Sequence, residues 1–225
     1  MFRKSWWKIV AVALMVYTFT AGFLIKVPYV GNLYESIRNL FFHVPMWFGM
    51  MLLFVISLIN ALKYLSKPTI VSDVNSVEFA KMGMLFGVLG LVTGAIWATY
   101  TWGEPWSNDP KQLLAAIALL IYAAYFILRN SIPDLDKRAK IAAIYNVFAC
   151  AMLIPTLWII PRMVESLHPG GQGVDGNPGM NGKDLDPVMR MVFWPAVFGW
   201  SLLAVWVTSL KVRFALLKEK KSAHA

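Results

Sequence analysis

The chain has 225 residues, 58% of them hydrophobic and only 15% charged, with a mean hydropathy of +0.58 and a formal net charge of +9. Soluble domains run at about 45–50% apolar and about 25% charged, so a soluble, disordered or fibrous chain is excluded. The single cysteine, Cys150, excludes an intrachain disulfide and a cysteine-built metal site.

Six apolar runs approach the roughly 20 helical residues needed to cross a hydrocarbon core. They are Trp6–Ile25, Leu40–Leu62, Phe79–Thr101, Leu113–Leu128, Ile141–Ile160 and Met191–Leu210. The first follows Arg3 and Lys4 as a signal peptide would, but runs on to Ile25 without a small-x-small cleavage site. It is therefore expected to be an uncleaved span. The expected fold is an all-α, polytopic membrane protein with six transmembrane helices and both termini cytoplasmic. In that topology 15 of the 21 Lys and Arg and five of the 12 acids lie inside, against six and seven outside, so +10 faces −1. The positive-inside rule asks for this asymmetry. The basic excess is a topology signal, and no nucleic-acid partner is expected.

The inner connections are plain. Lys63–Glu78, with Lys67-Pro68 and a Ser/Asp/Asn cluster, reads as a turn-rich linker. Arg129–Lys140 contains Ile132-Pro133-Asp134, and the tail Lys218-Glu219-Lys220-Lys221 suits solvent or anionic lipid headgroups. A P-loop and HExxH are both missing, which disfavours nucleotide and zinc hydrolysis within this chain.

The outer connections are Lys26–Asn39, Trp102–Gln112 and Pro161–Arg190. Within the last, 169–187 is rich in Gly, Asn and Asp, with glycines at 173, 176, 179 and 182. That period is too short-lived for a collagen helix. The segment reads as a mobile external loop, with a weaker calcium or partner reading from Asp175, Asp184 and Asp186.

Both non-terminal histidines fall on this outer side. His43 lies in Phe41-Phe42-His43-Val44-Pro45, where Pro45 suits a first helical turn and would put His43 at the helix mouth. His168 follows the fifth span. If that helix continued, Arg162, Glu165 and His168 would share one face. Each histidine alone can be an interfacial hydrogen-bonding residue. Together they are too few for structural zinc, which takes four ligands. They are the right number for a haem iron, whose porphyrin supplies the other four nitrogens.

Haem also needs flat apolar surface and cationic groups for two propionates. The loop at 102–112 offers Trp102 and Trp106 as aromatic faces, Gly103 for close approach and Lys111 as a cation. Arg162 is a second propionate candidate. The plainer alternative is an aromatic-belt turn, with Asp109-Pro110 as N-cap and N1 proline of the next helix.

The stretch Trp102-Gly103-Glu104-Pro105-Trp106-Ser107-Asn108-Asp109 resembles the WGxxWxWD signature of the tryptophan-rich haem-handling family of cytochrome c maturation, which comprises CcmC and CcsA-type branches. Phe42-His43-Val44-Pro45 and Ser166-Leu167-His168 resemble its two flanking histidines, and the six-span layout looks most like the CcmC branch. One departure is that Asn108 stands where the family has its third tryptophan. The Asp-Pro-Lys ending leans toward the CcsA version, and the Gly-rich segment matches nothing in the family pattern.

The resemblance implies a single haem-handling domain over 1–225 in the bacterial inner membrane. His43 and His168 would be axial ligands of a non-covalent b-type haem, and Trp102, Gly103, Trp106 and Asp109 haem-loop positions. Its implied partners are a periplasmic haem chaperone of the CcmE type, an ABC-type ATPase and small membrane subunits, besides membrane lipid. The chain itself would bind and hand over haem rather than act as an enzyme. Two other classes stay open. A b-type electron-transfer subunit would carry its histidine pair at depth. A small-solute transporter would show internal inverted repeats, and none is visible.

Overall fold

The computed structural model describes residues 5–29, 31, 33–168 and 185–222. Six long helices carry the chain: α1 Trp6–Leu24, α2 Leu40–Ser66, α3 Ile70–Trp102, α4 Pro110–Ser131, α5 Leu135–Leu153 and α6 Pro187–Ser222. A 3-10 segment, Tyr34–Asn39, runs straight into α2. Helix α5 continues through a π-helical stretch, Ile154–Ile159, and a last turn, Ile160–Met163. All six runs are long and apolar enough to cross a membrane, and no strand occurs among the described residues. The expected all-α, six-span architecture is what the structure has.

Lipid-facing and packed sides separate at helical spacing. On α1, Ile9, Val12, Val16, Phe19 and Phe23 are exposed, while Trp7, Ala11, Thr18 and Gly22 are buried. The buried side faces α6, where Trp7 meets Trp206 edge-on with ring centroids 6.3 Å apart. Helix α6 also packs on α2, so it bridges α1 to the bundle of α2–α5.

Helices α2 and α3 fit closely because one stripe of α3 is glycine. A methyl group on Gly83 would lie 2.8 Å from the Phe54 ring, one on Gly90 2.9 Å from Trp47, and one on Gly87 would strike Leu119 and Met50. Small residues at such spacing let membrane helices approach where no hydrophobic effect drives them together. Below this stripe, toward the end of the bundle away from the histidines, the interior turns polar. Asn146 of α5 donates to Ser57 (2.7 Å) and Ser76 (3.0 Å) and accepts from Tyr122 (3.2 Å), linking α2, α3, α4 and α5.

Two sequence expectations need correction here. The polar cluster assigned to a linker over Lys63–Glu78 is largely helical, and only Lys67–Thr69 separates α2 from α3. Thr69 caps α3 by accepting from the Ser72 N–H at 3.2 Å, and Ser76 joins the buried network. Asp73 turns inward to take a two-pronged bond from Arg129, at 2.7 and 2.6 Å. Polar side chains that read as turn formers in sequence are spent between helices. Likewise Arg129–Lys140 narrows to Ile132–Asp134, where Asp134 caps α5 through the Lys137 N–H at 2.7 Å.

Candidate functional site

Helical structure reaches His43 from nine residues upstream, so Pro45 lies inside α2 and not in its first turn. The expectation that His43 sits at a helix mouth is corrected accordingly. A proline costs the bond its N–H would make to the carbonyl four residues back. Such a break is tolerated in a membrane helix where neighbours pack around it, and Pro45 is buried.

His43 is held by α3. Its ring lies on Gly94, where a methyl group would come within 2.6 Å of Cε1. Its Nδ1 is 3.2 Å from Thr93 Oγ1. That hydroxyl already donates to the Leu89 carbonyl at 2.7 Å, so it accepts from His43, which places the proton on Nδ1 and the lone pair on Nε2. Trp47 and Trp97 stand edge-on to the imidazole at 6.2 and 6.0 Å between centroids.

His168 is held by the tryptophan-rich loop. Its Nδ1 is 2.8 Å from Asp109 Oδ1, and its ring stands edge-on to Trp102 at 4.7 Å. Asp109 also accepts from Ser166 Oγ (2.8 Å), the Leu167 N–H (2.7 Å) and the Lys111 N–H (2.9 Å), the last making it the N-cap of α4. Its side chain is only 1% exposed. Burial would raise its pKa, but the bonds from His168, Leu167 and Ser166 hold it well below the ordinary carboxylate range. An ionised acceptor at Nδ1 again fixes the proton there and leaves the lone pair on Nε2.

This capture explains a second correction. The helix does not continue to His168: it ends at Met163, and Val164 is extended. Arg162, Glu165 and His168 therefore do not share a helical face. Asp109 satisfies the Leu167 N–H and Ser166 hydroxyl, and the Ser166 oxygen in turn accepts from the His168 N–H at 3.1 Å.

Along the loop, Gly103 closes α3 in the left-handed region at φ +86°, which glycine adopts without penalty. Asn108 is also left-handed, at φ +55°, and its Oδ1 accepts from the Trp106 indole at 2.9 Å. Asparagine tolerates that conformation where a bulky residue is strained. Ser107 is tied to Gln112 through its N–H and hydroxyl, both at 3.1 Å. Trp106 is exposed, with its indole N–H turned to Asn108.

Arg162 stacks its guanidinium 4.8 Å from the Trp158 ring centroid and donates to the Trp158 carbonyl. It lies close enough to Lys111 for the two charges to interact, with Asp109 also near Lys111. The structure thus gathers His168, Trp102, Gly103, Asp109, Lys111 and Arg162 at one end of the bundle. His43 sits deeper, against α3 eight residues before Trp102, an offset of about 12 Å along a helix, yet within electrostatic reach of His168.

Thr93 and Gly94 were not singled out from sequence, although the glycine spacing 83, 87, 90, 94 is a visible sign of a helix pressed against a neighbour. The Gly-rich segment lies mostly outside the described residues. Its one described acid, Asp186, caps α6 through the Val188 N–H at 2.9 Å. No cluster of metal-ligating side chains occurs among the described residues.

Comparison with known proteins identifies the family. A sequence profile described as "Heme exporter protein C" matches residues 2–225. The chain is 22% identical to the heme exporter protein C of Paracoccus denitrificans over 84% of this chain and 76% of that protein. It is 28% identical to that of Haemophilus influenzae over 64% of this chain and 56% of that protein. It is also 47% identical to the cytochrome c biogenesis protein CcsA of Prochlorococcus marinus over 66 residues, 29% of this chain and 21% of that protein. This multi-pass membrane chain belongs to the heme exporter protein C family, and so to the haem-handling proteins of cytochrome c maturation.

Proposed function

We propose that the chain holds a non-covalent haem as cargo, at the end of the bundle where His43, His168 and the tryptophan-rich loop lie, and presents it to a periplasmic haem chaperone. The observation that carries this reading is the matched setting of the two histidines: each turns its Nδ1 to an oxygen, Thr93 Oγ1 at 3.2 Å and Asp109 Oδ1 at 2.8 Å, an arrangement that suits Nε2 as the ligating nitrogen of a neutral imidazole. Two such nitrogens from different elements fit the axial donor set of a haem iron. Trp47, Trp97 and Trp102 supply aromatic surface beside the rings. Lys111 and Arg162 are the cationic pair suited to two propionates. A bound iron with both axial positions filled lacks an open site for oxygen chemistry, which suits a carrier.

The chain's own residues then divide the work. Asp109 and Thr93 hold the tautomers. Gly94 admits the His43 ring, and Trp102 limits how His168 can turn. The reading places the site on the outer face of a bacterial inner membrane, in company with an ABC-type ATPase and small membrane subunits that this chain's own sequence does not replace.

An absorption spectrum of the purified protein, alone and with the periplasmic chaperone, tests the proposal. Removing either ligand should lower haem occupancy at least about tenfold, the worth of a lost strong interaction. The His43→Ala, His168→Ala double variant should lose little more, since residues acting as a unit are non-additive. Imidazole added to His43→Gly should restore part of the signal. Trp102→Ala should impair retention while leaving membrane insertion intact. A double-histidine variant with an unchanged six-coordinate spectrum would overturn the axial assignment.

A further inference from the structure

Haem handling as proposed gives the outer connection between α1 and α2 no part, yet that connection is tied to α3 beside His43. Its 3-10 segment, Tyr34–Asn39, runs straight into α2, so Ser36, Asn39, His43 and Trp47 recur at helical spacing along one face. Each of the four meets α3. Trp47 lies on Gly90 and His43 on Gly94. Asn39 Nδ2 donates to the Thr93 carbonyl at 3.2 Å. Above them, the Trp97 indole N–H donates to Ser36 Oγ at 3.1 Å.

The Ser36–Trp97 bond has one possible direction. An indole nitrogen can only donate, and the Ser36 hydroxyl spends its own proton on the Leu33 carbonyl, which leaves its oxygen to accept. Trp97 is also one wall of the histidine: its ring lies 6.0 Å from the imidazole between centroids and is inclined 75° to it. The same side chain packs against the apolar cluster that includes Ile37, Leu40 and Phe41. Apolar packing holds a flat ring in a slot but does not choose which edge faces inward, because the torsion that turns the ring is broad and roughly two-fold. The bond to Ser36 makes that choice.

We infer that Ser36 and Trp97 are a positioning pair for His43. Ser36 fixes the rotation of the indole. The indole, with Trp47 and Thr93, fixes the plane of the imidazole and so the direction in which Nε2 is offered. Both residues act through the histidine, as outer partners orient a metal's ligands elsewhere. The consequence at a haem rests on the axial reading of His43, whereas the grip on the imidazole belongs to this chain alone.

Electron paramagnetic resonance of the ferric, haem-loaded full chain reads the pair, because the anisotropy of a bis-histidine haem reports the angle between its two imidazole planes. Ser36→Ala removes the acceptor, and Trp97→Phe keeps an aromatic wall without the N–H. Both should shift the anisotropy and speed haem loss to apomyoglobin about two- to tenfold, as for one lost hydrogen bond. The double variant should go no further than Trp97→Phe, since the two residues share one interaction. Ser36→Thr keeps the hydroxyl and should keep the unaltered spectrum. Trp206→Phe makes the same ring exchange where α1 meets α6 and is the control, with an unchanged signal. The haem-free chain is read in parallel by nitrogen NMR of labelled histidine. There the His43 ring resonances should move in Ser36→Ala, from roughly 12 Å away along the helix axis, and return in Ser36→Thr. An unmoved His43 signal in Ser36→Ala, or a Ser36→Thr chain as disturbed as Ser36→Ala, would overturn the pair. An unaltered chain that takes up no haem would count against the axial reading instead, and the NMR result would then decide the pair by itself.

Discussion

Asp109 serves four donors with two oxygens: the Lys111 N–H, the Ser166 hydroxyl, the Leu167 N–H and His168 Nδ1. It therefore caps a helix, folds the 166–168 turn and sets a tautomer at once. Asp109→Asn would put an amide NH₂ against one of those donors. Hydrogen bonds to charged groups are worth about 1.5–3 kcal/mol each, so the expected outcome is release of the turn with α4 still formed. Loss of haem retention with unchanged helical circular dichroism would show it. The pH dependence has a definite sign. Because the folded-state pKa is depressed below the unfolded value of about 3.9, the stabilisation is fully present above that value. It is lost as pH falls through the lower, folded value. Protection of the Leu167 amide from hydrogen exchange should accordingly be constant from neutral pH down to about 4, and collapse only in stronger acid.

At the scale of helices, the glycine stripe of α3 sets how closely α2 can lie and so where His43 points. Gly94→Ala places a methyl group 2.6 Å from the imidazole. The ring is the mobile end of its side chain, so it should swing rather than part the helices. A changed haem spectrum at a stability cost within about 1–3 kcal/mol is expected. Gly83→Ala presses instead on Phe54 at 2.8 Å, away from the histidines, and should lower thermal stability with the spectrum unaltered. The spans and the two histidines were legible because hydropathy and rare residue types survive in one dimension. The boundaries on the inner side were not, because Ser72, Asp73 and Ser76 look like turn residues until Arg129 and Asn146 arrive from 56 and 70 residues away. The same holds for the Asp109–His168 pair, joined across 59 residues. Asp109 was legible as a cap but not as a tautomer clamp.

For the whole molecule, the charge division predicts which way the bundle faces. A reporter fused after Glu219 should behave as cytoplasmic and one inserted near Gly176 as external; the reverse pair would move both histidines to the cytoplasmic side. A second consequence follows from how the helices share the load. Every residue proposed to meet haem belongs to α2–α5 or their connections, while α6 joins through α1, α2 and α3, by contacts such as Trp7–Trp206 and Phe48–Phe193. The polypeptide is thus divisible. Cut within 169–184 and expressed as two pieces, it should reassemble through α6 and keep its haem spectrum. Pieces that co-purify without haem would instead show that the site needs the connection intact. If the halves do complement one another, the linking segment is open to grafting, and a fluorophore or affinity handle placed there could report on the chaperone's arrival without touching a ligand.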